Sequence, residues 1–233
     1  MSDIPVLDIP TDAEYRAHRE RLLAAEQDLR DRREQVAELR RGLPPGPPIE
    51  TDYVFREGDP DLRVDGTETY RDTRLAELFA PGQGQLFVYH MMFAPEWERG
   101  CRMCSMWLDG LNGVAHHITE NASFAVIAKA PLPKLRAWAR HRGWTRLRLL
   151  SSHDTTFNRD LQVEDGNGEQ MAGVSVFTRD PAAGADAPVR LSYAGSPYYG
   201  RGEYRGIDLL SPVWHVLDLL PSGRGDWMPS EGH

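Results

Sequence analysis

The sequence predicts a three-layer α/β domain with a mixed sheet, preceded by a long N-terminal helix. Three observations carry that expectation. Apolar runs of strand length alternate with amphipathic helical stretches through the middle of the chain. Two later apolar runs are joined by a turn-rich segment, as in a hairpin, and the charged helical stretch at the start ends abruptly at Leu43-Pro44-Pro45-Gly46-Pro47-Pro48. With 233 residues and 40% hydrophobic content, the chain is long enough for one domain with a real core.

Residues 11–41 read as one helix, with Thr11 as its cap and Glu14 three residues later completing a capping box. Tyr15, His18, Leu22, Ala25, Leu29, Val36 and Leu39 follow three-four spacing, broken at Arg32. So narrow a stripe packs on its own domain or pairs with a second copy, and a homodimer through this helix is one expectation. The prolines after Gly42 neither donate to a helix nor continue one, which places a helical extension over residues 1–43 and the domain over 44–233.

Within the domain, Tyr53-Val54-Phe55 is a short strand candidate and residues 73–79 a short helix. Residues 86–93 form the first strongly apolar strand, continuous enough to be buried on both faces. After it, Cys104, Trp107, Leu108, Leu111 and Ala115 share one helical face, with Gly110 and Gly113 as points of interruption. A strand over 123–129, a helix over 132–141 opened by prolines, and a strand over 147–151 follow. The runs 174–178 and 189–193 make the hairpin, and residues 207–217 a last helix.

Composition excludes several classes of function. The net charge of −8 argues against nucleic acid as a ligand, since phosphate neutralisation needs clustered cations. The arginines are interleaved with acids, as in Asp28-Leu29-Arg30-Asp31-Arg32-Arg33-Glu34, the pattern of a solvated face. No apolar run approaches bilayer length, and the N-terminus lacks a basic region followed by an apolar stretch, so no membrane role and a cytoplasmic location are expected.

The only two cysteines stand three apart in Gly100-Cys101-Arg102-Met103-Cys104-Ser105, where the apolar strand hands over to a helix. Only a thiolate attacks a disulfide or a peroxide, and the N–H groups and dipole of a helix N-terminus favour that anion at the first cysteine. The second, one turn on, reaches back to close the disulfide. A haem attachment sequence requires histidine where Ser105 stands. A structural zinc site needs four ligands, and His90, His116 and His117 lack the spacing to supply the missing two. Nothing reads as the zinc deaminase signature. Redox work, a zinc site and buried structural thiols remain the readings in contention, with redox work leading and a reducing compartment in keeping with it. No cofactor and no metal are required.

The order of Tyr53-Val54-Phe55, the run from Gln85 to Phe93, Trp97-Glu98-Arg99-Gly100-Cys101-Arg102-Met103-Cys104-Ser105, Arg142-Gly143-Trp144, Ser151-Ser152, Phe157-Asn158-Arg159-Asp160 and Gly173-Val174-Ser175-Val176-Phe177 resembles an uncharacterised bacterial family. Its members are classed as thioredoxin-like and described as predicted dithiol-disulfide oxidoreductases. The resemblance covers most of the chain and implies a thioredoxin-like domain in which Cys101 attacks and Cys104 resolves. It implies as partners a disulfide-bearing protein, or a small thiol or peroxide substrate, together with an external reductant. Where thioredoxins carry Trp-Cys-Gly-Pro-Cys and a cis-proline before the third core strand, this chain has the spacer Arg102-Met103 and Ala172-Gly173, which favours a peroxiredoxin-like or specialised role over general disulfide reduction of thioredoxin type. The alternatives are a peroxiredoxin-like peroxidase passing through a sulfenic acid at Cys101, and a noncatalytic assembly module with packed or zinc-holding cysteines. The threonine that peroxiredoxins place before the attacking cysteine is missing from the stretch Ala94 to Gly100, which favours disulfide exchange.

Around the pair, His90 is a candidate proton shuttle or a satisfied strand-end histidine. Glu96 and Glu98 raise a neighbouring thiol pKa or are solvated loop acids, and Arg99 and Arg102 stabilise the thiolate or face water. Trp97 and Trp107 bracket the pair as pocket walls or as packing. Asn158 and Asp160 match family positions and equally fit ordinary turn chemistry. The glycine- and tyrosine-rich stretch 193–204 reads as a surface loop.

Overall fold

A computed structural model describes residues 12–184, 187–195, 211–221 and 229. The chain divides into two compact units, Met1–Pro44 and Pro45–His233.

The first unit is helix α1 (Ala13–Arg41), closed by Gly42. Thr11 lies outside the described residues, and the cap is its neighbour Asp12, whose carboxylate accepts from the Tyr15 N–H at 2.7 Å. Ion pairs such as Arg19–Glu26 decorate the helix, and the stripe residues Tyr15, Leu22, Leu29, Val36 and Leu39 are exposed.

The second unit is built on a seven-stranded sheet of β1 (Val54–Glu57), β2 (Arg71–Arg74), β3 (Gln85–Met91), β4 (Ser123–Ala128), β5 (Leu149–Ser151), β6 (Gly173–Thr178) and β7 (Arg190–Gly195), in the order β2-β1-β5-β4-β3-β6-β7. Strands β3, β4 and β5 run parallel, and the remaining pairings are antiparallel. Every residue of β4 is buried, as a strand covered on both faces requires. Its alternation divides the core: Phe124, Val126 and Ala128 join one cluster, Ala125 and Ile127 the other.

Helices α2 (Arg102–Thr119), α3 (Leu132–Arg142) and α5 (Pro212–Leu219) supply the first cluster, through residues such as Trp107, Leu135 and Leu217. A 3-10 turn over Leu75–Leu78 and the single-turn α4 (Phe157–Asp160) cover the opposite face. The β3-α2-β4 unit followed by the β6-β7 hairpin and α5 makes the fold thioredoxin-like, with the expected mixed sheet and long N-terminal helix.

Three local expectations change. The helix expected over 73–79 is β2 followed by the 3-10 turn. Thr73 pairs opposite Phe55 and donates its hydroxyl to Glu57 at 2.8 Å, so tertiary pairing overrides the local pattern, and the Glu77 carboxylate then caps the Arg74 N–H at 2.6 Å. Helix α2 runs unbroken through Gly110 and Gly113, because the buried face from Cys104 to Ala115 outweighs the cost of about 1 kcal/mol per glycine. Strand β7 extends to Gly195, beyond the point where a loop is expected; residues 196–210, with most of that loop and the start of the last expected helix, lie outside the described residues.

Candidate active site

The site forms where β3 gives way to α2. Cys101 is the cap of α2: its N–H donates to the Met92 carbonyl at 3.0 Å and its carbonyl accepts from Ser105 N–H at 2.9 Å, so the residue is fixed on both sides. The preceding residue has to be glycine. A Cβ at Gly100 would stand 2.3 Å from the end of Met91 and 2.8 Å from the Trp138 ring nitrogen. The loop and the first turn of α2 are both tied to α3, since Lys134 donates to the Pro95 carbonyl at 2.6 Å and Trp138 donates its ring N–H to Ser105 Oγ at 3.1 Å.

The two thiols differ in setting. Cys101 is partly exposed and Cys104 fully buried, and both are free. The Cys104 thiol donates to the Cys101 sulfur, and this bond, with the N–H groups of Cys104 and Met103 and the nearby Arg102 charge, outweighs burial and brings the Cys101 pKa down to about 6. Burial first, and then the neighbouring Cys101 sulfur, push Cys104 well above the usual thiol range, with the Met92 N–H and the Tyr89 hydroxyl opposing. At neutral pH this gives a thiolate at the helix N-terminus and a thiol behind it. The first turn of α2 holds no acid that opposes the anion.

Cys101 opens into a cleft of about 380 Å³. Trp97, Arg99, Gly100, Arg102 and Ser105 line it from the loop and the start of α2, and Trp138 and Arg142 from α3. Arg142 is paired with Asp109, which also accepts from the Trp144 ring N–H at 2.8 Å. Of the residues weighed from sequence, the structure thus brings Trp97, Arg99 and Arg102 to the cysteines. Glu96 and Glu98 are exposed and outside the lining. Trp107 is core, edge-on to Tyr89 at 6.3 Å, and Trp138 is the second wall instead.

His90 points to the other sheet face, as its alternation with Tyr89 and Met91 dictates. Its Nε2 bonds Ser175 Oγ at 2.7 Å, and burial pushes its pKa down to about 3, so it stays neutral. Asn158 belongs to a buried network, accepting from Ser152 at 2.6 Å and donating to Gln170 at 3.0 Å. Asp160 accepts from Thr156 and Tyr53 at 2.6 and 2.8 Å, and the Thr156 bond leads in holding its carboxyl below the usual range. Neither lines the cleft. Ser105 and Arg142 stand in the motifs that carry the family resemblance but take no site role from sequence, and sequence reading missed Trp138; a tryptophan on a helix otherwise packed through Leu135 and Ala139 is the signal that points to it. Among the described residues, no three His, Cys, Asp or Glu side chains gather as a metal site, and no helix is long and apolar enough to cross a membrane.

Residues 5–231 match the model of a family described as bacterial protein of unknown function (DUF899). No curated protein matches the chain. Among solved structures, AhpC of Mycobacterium tuberculosis is 11% identical, with 72% of this chain and 89% of that chain covered and a TM-score of 0.47. AhpC of Enterococcus faecalis is 11% identical over 79% of this chain and 98% of its own, with a TM-score of 0.47. Reduced Prx3 of Vibrio vulnificus in complex with hydrogen peroxide is 13% identical over 69% and 92%, with a TM-score of 0.44.

Proposed function

We propose that this chain, which belongs to the bacterial family of unknown function DUF899, is a dithiol-disulfide oxidoreductase in which Cys101 attacks and Cys104 resolves. The observation that carries the reading is the pair itself: a partly exposed, acidic Cys101 at the N-terminus of α2, accepting a hydrogen bond from the buried Cys104 thiol. A thiol of pKa about 6 is mostly thiolate at neutral pH yet keeps much of its nucleophilicity, which falls only gradually with pKa.

The Cys101 thiolate attacks one sulfur of a substrate disulfide. That S–S bond breaks, a mixed disulfide forms, and the departing thiolate takes a proton from water. Cys104 then loses its proton and attacks the Cys101 sulfur, forming the Cys101–Cys104 disulfide and releasing the second substrate thiolate, which is protonated in turn. Two electrons have passed from protein to substrate, and an external dithiol returns them. The second step needs Cys104 deprotonated in a buried site that opposes it, so resolution speeds up as pH rises.

Treating the reduced protein with excess bis(2-hydroxyethyl) disulfide should remove both free thiols and lower the chain mass by two hydrogen atoms, with cysteines 101 and 104 linked in the peptide map. A product that stays a mixed disulfide on either cysteine, or a chain that keeps both thiols, would overturn the assignment.

A further inference from the structure

The cleft over Cys101 is positively charged on a chain whose net charge is −8, and no carboxylate lines it. Arg142 is neutralised by Asp109 and supplies shape. Arg99 and Arg102 are different. Both are exposed, both line the cleft, and among the described residues neither has a carboxylate partner. Trp97 and Trp138 offer apolar walls, and Trp138 is oriented by its bond to Ser105. About 380 Å³ lies at the small end of the range for small-molecule sites.

Resting on the dithiol-disulfide reading above, we propose that the substrate of this site is a low-molecular-weight disulfide bearing carboxylates, held by Arg99 and Arg102 with its aliphatic stem between Trp97 and Trp138 and a sulfur at Cys101. Guanidinium groups suit carboxylates because they donate in pairs to both oxygens. The reaction balances as before: the disulfide gains two electrons and two protons and leaves as two carboxylate-bearing thiols, while Cys101 and Cys104 become a disulfide.

The test uses the reduced full-length protein and three symmetrical disulfides: 3,3′-dithiodipropionate, bis(2-hydroxyethyl) disulfide and cystamine, which carry negative, no and positive charge. Each second-order rate constant is divided by that of 2-mercaptoethanol with the same disulfide, which removes intrinsic reactivity. The normalised rate for the dicarboxylate should exceed that for the neutral compound about tenfold, the size of one charge-assisted hydrogen bond, and cystamine should be slowest. The preference should shrink toward unity at about 0.5 M salt, where the screening length falls below 5 Å. In the double variant R99A/R102A the dicarboxylate-to-neutral ratio should also fall toward one, and using the ratio cancels any change in Cys101 acidity. Equal normalised rates, a preference for cystamine, or a dicarboxylate preference that survives in the double variant would overturn this inference and leave the oxidoreductase reading standing. A chain that reacts with none of the three would overturn both.

Discussion

Replacing Cys101 with serine should lower disulfide reduction about a thousandfold or more, because a neutral hydroxyl takes the place of the only thiolate that reaches the cleft. Replacing Cys104 should act differently. The Cys104→Ala chain keeps the attacking sulfur but has nothing to resolve with, so it should accumulate one substrate half as a mixed disulfide on Cys101, visible by mass spectrometry and released by dithiothreitol. The same variant loses the hydrogen bond that contributes most to the acidity of Cys101. Iodoacetamide should therefore label Cys101 of the native chain with a midpoint near pH 6, before Cys104, and the midpoint should move upward in Cys104→Ala. Full activity in Cys101→Ser, or first labelling at Cys104, would reverse the roles given to the two residues.

Glu57 should carry a large electrostatic contribution to stability. Only 4% exposed, it receives Arg148 Nε at 2.7 Å, Thr73 Oγ1 at 2.8 Å and Arg71 Nη2 at 3.0 Å, so one buried carboxylate joins β1, β2 and the approach to β5. Burial raises its pKa, but Arg148, Thr73 and Arg71 together outweigh burial and hold it below the ordinary 4.5. Since the folded value lies below the unfolded one, the cluster stabilises the fold fully above about pH 4.5 and loses that contribution as pH falls through the folded value. Glu57→Gln should cost about 2 kcal/mol in urea unfolding at neutral pH, the scale of hydrogen bonds to a charged group rather than of a fully buried pair, because Arg71 and Arg148 stay partly exposed, and the gap between the two proteins should narrow below about pH 4.5. A cost under about 1 kcal/mol, or one independent of pH, would show that Arg71 and Arg148 reach water without loss.

The sequence made α2 and the CxxC turn legible because both rest on local signals: a buried apolar run, a cysteine spacing and a helical face from Cys104 to Ala115. The same local logic misread residues 73–79. Arg71-Asp72-Thr73-Arg74 is polar, as an edge strand often is, and only its pairing with β1 and the reach of Thr73 to Glu57 make it a strand. The far wall of the cleft was hidden for a related reason. Trp138 and Arg142 sit on a helix more than thirty residues away, and only packing of α3 against α2 brings them to Cys101. His90 could have been placed by alternation, since Tyr89 and Met91 belong with the cysteines and the residue between them faces the other way.

The most direct measurement is stopped-flow oxidation of the reduced full-length chain, followed by tryptophan fluorescence, with hydrogen peroxide and with 3,3′-dithiodipropionate at matched concentrations. Trp97 and Trp138 line the cleft with Cys101, so each carries an optical report of the reacting sulfur. Faster oxidation by the disulfide, in two phases of which the second is lost in Cys104→Ala, is the result expected of a dithiol exchanger. Faster oxidation by peroxide, passing through a sulfenic acid on Cys101, would contradict it and make the protein a thiol peroxidase.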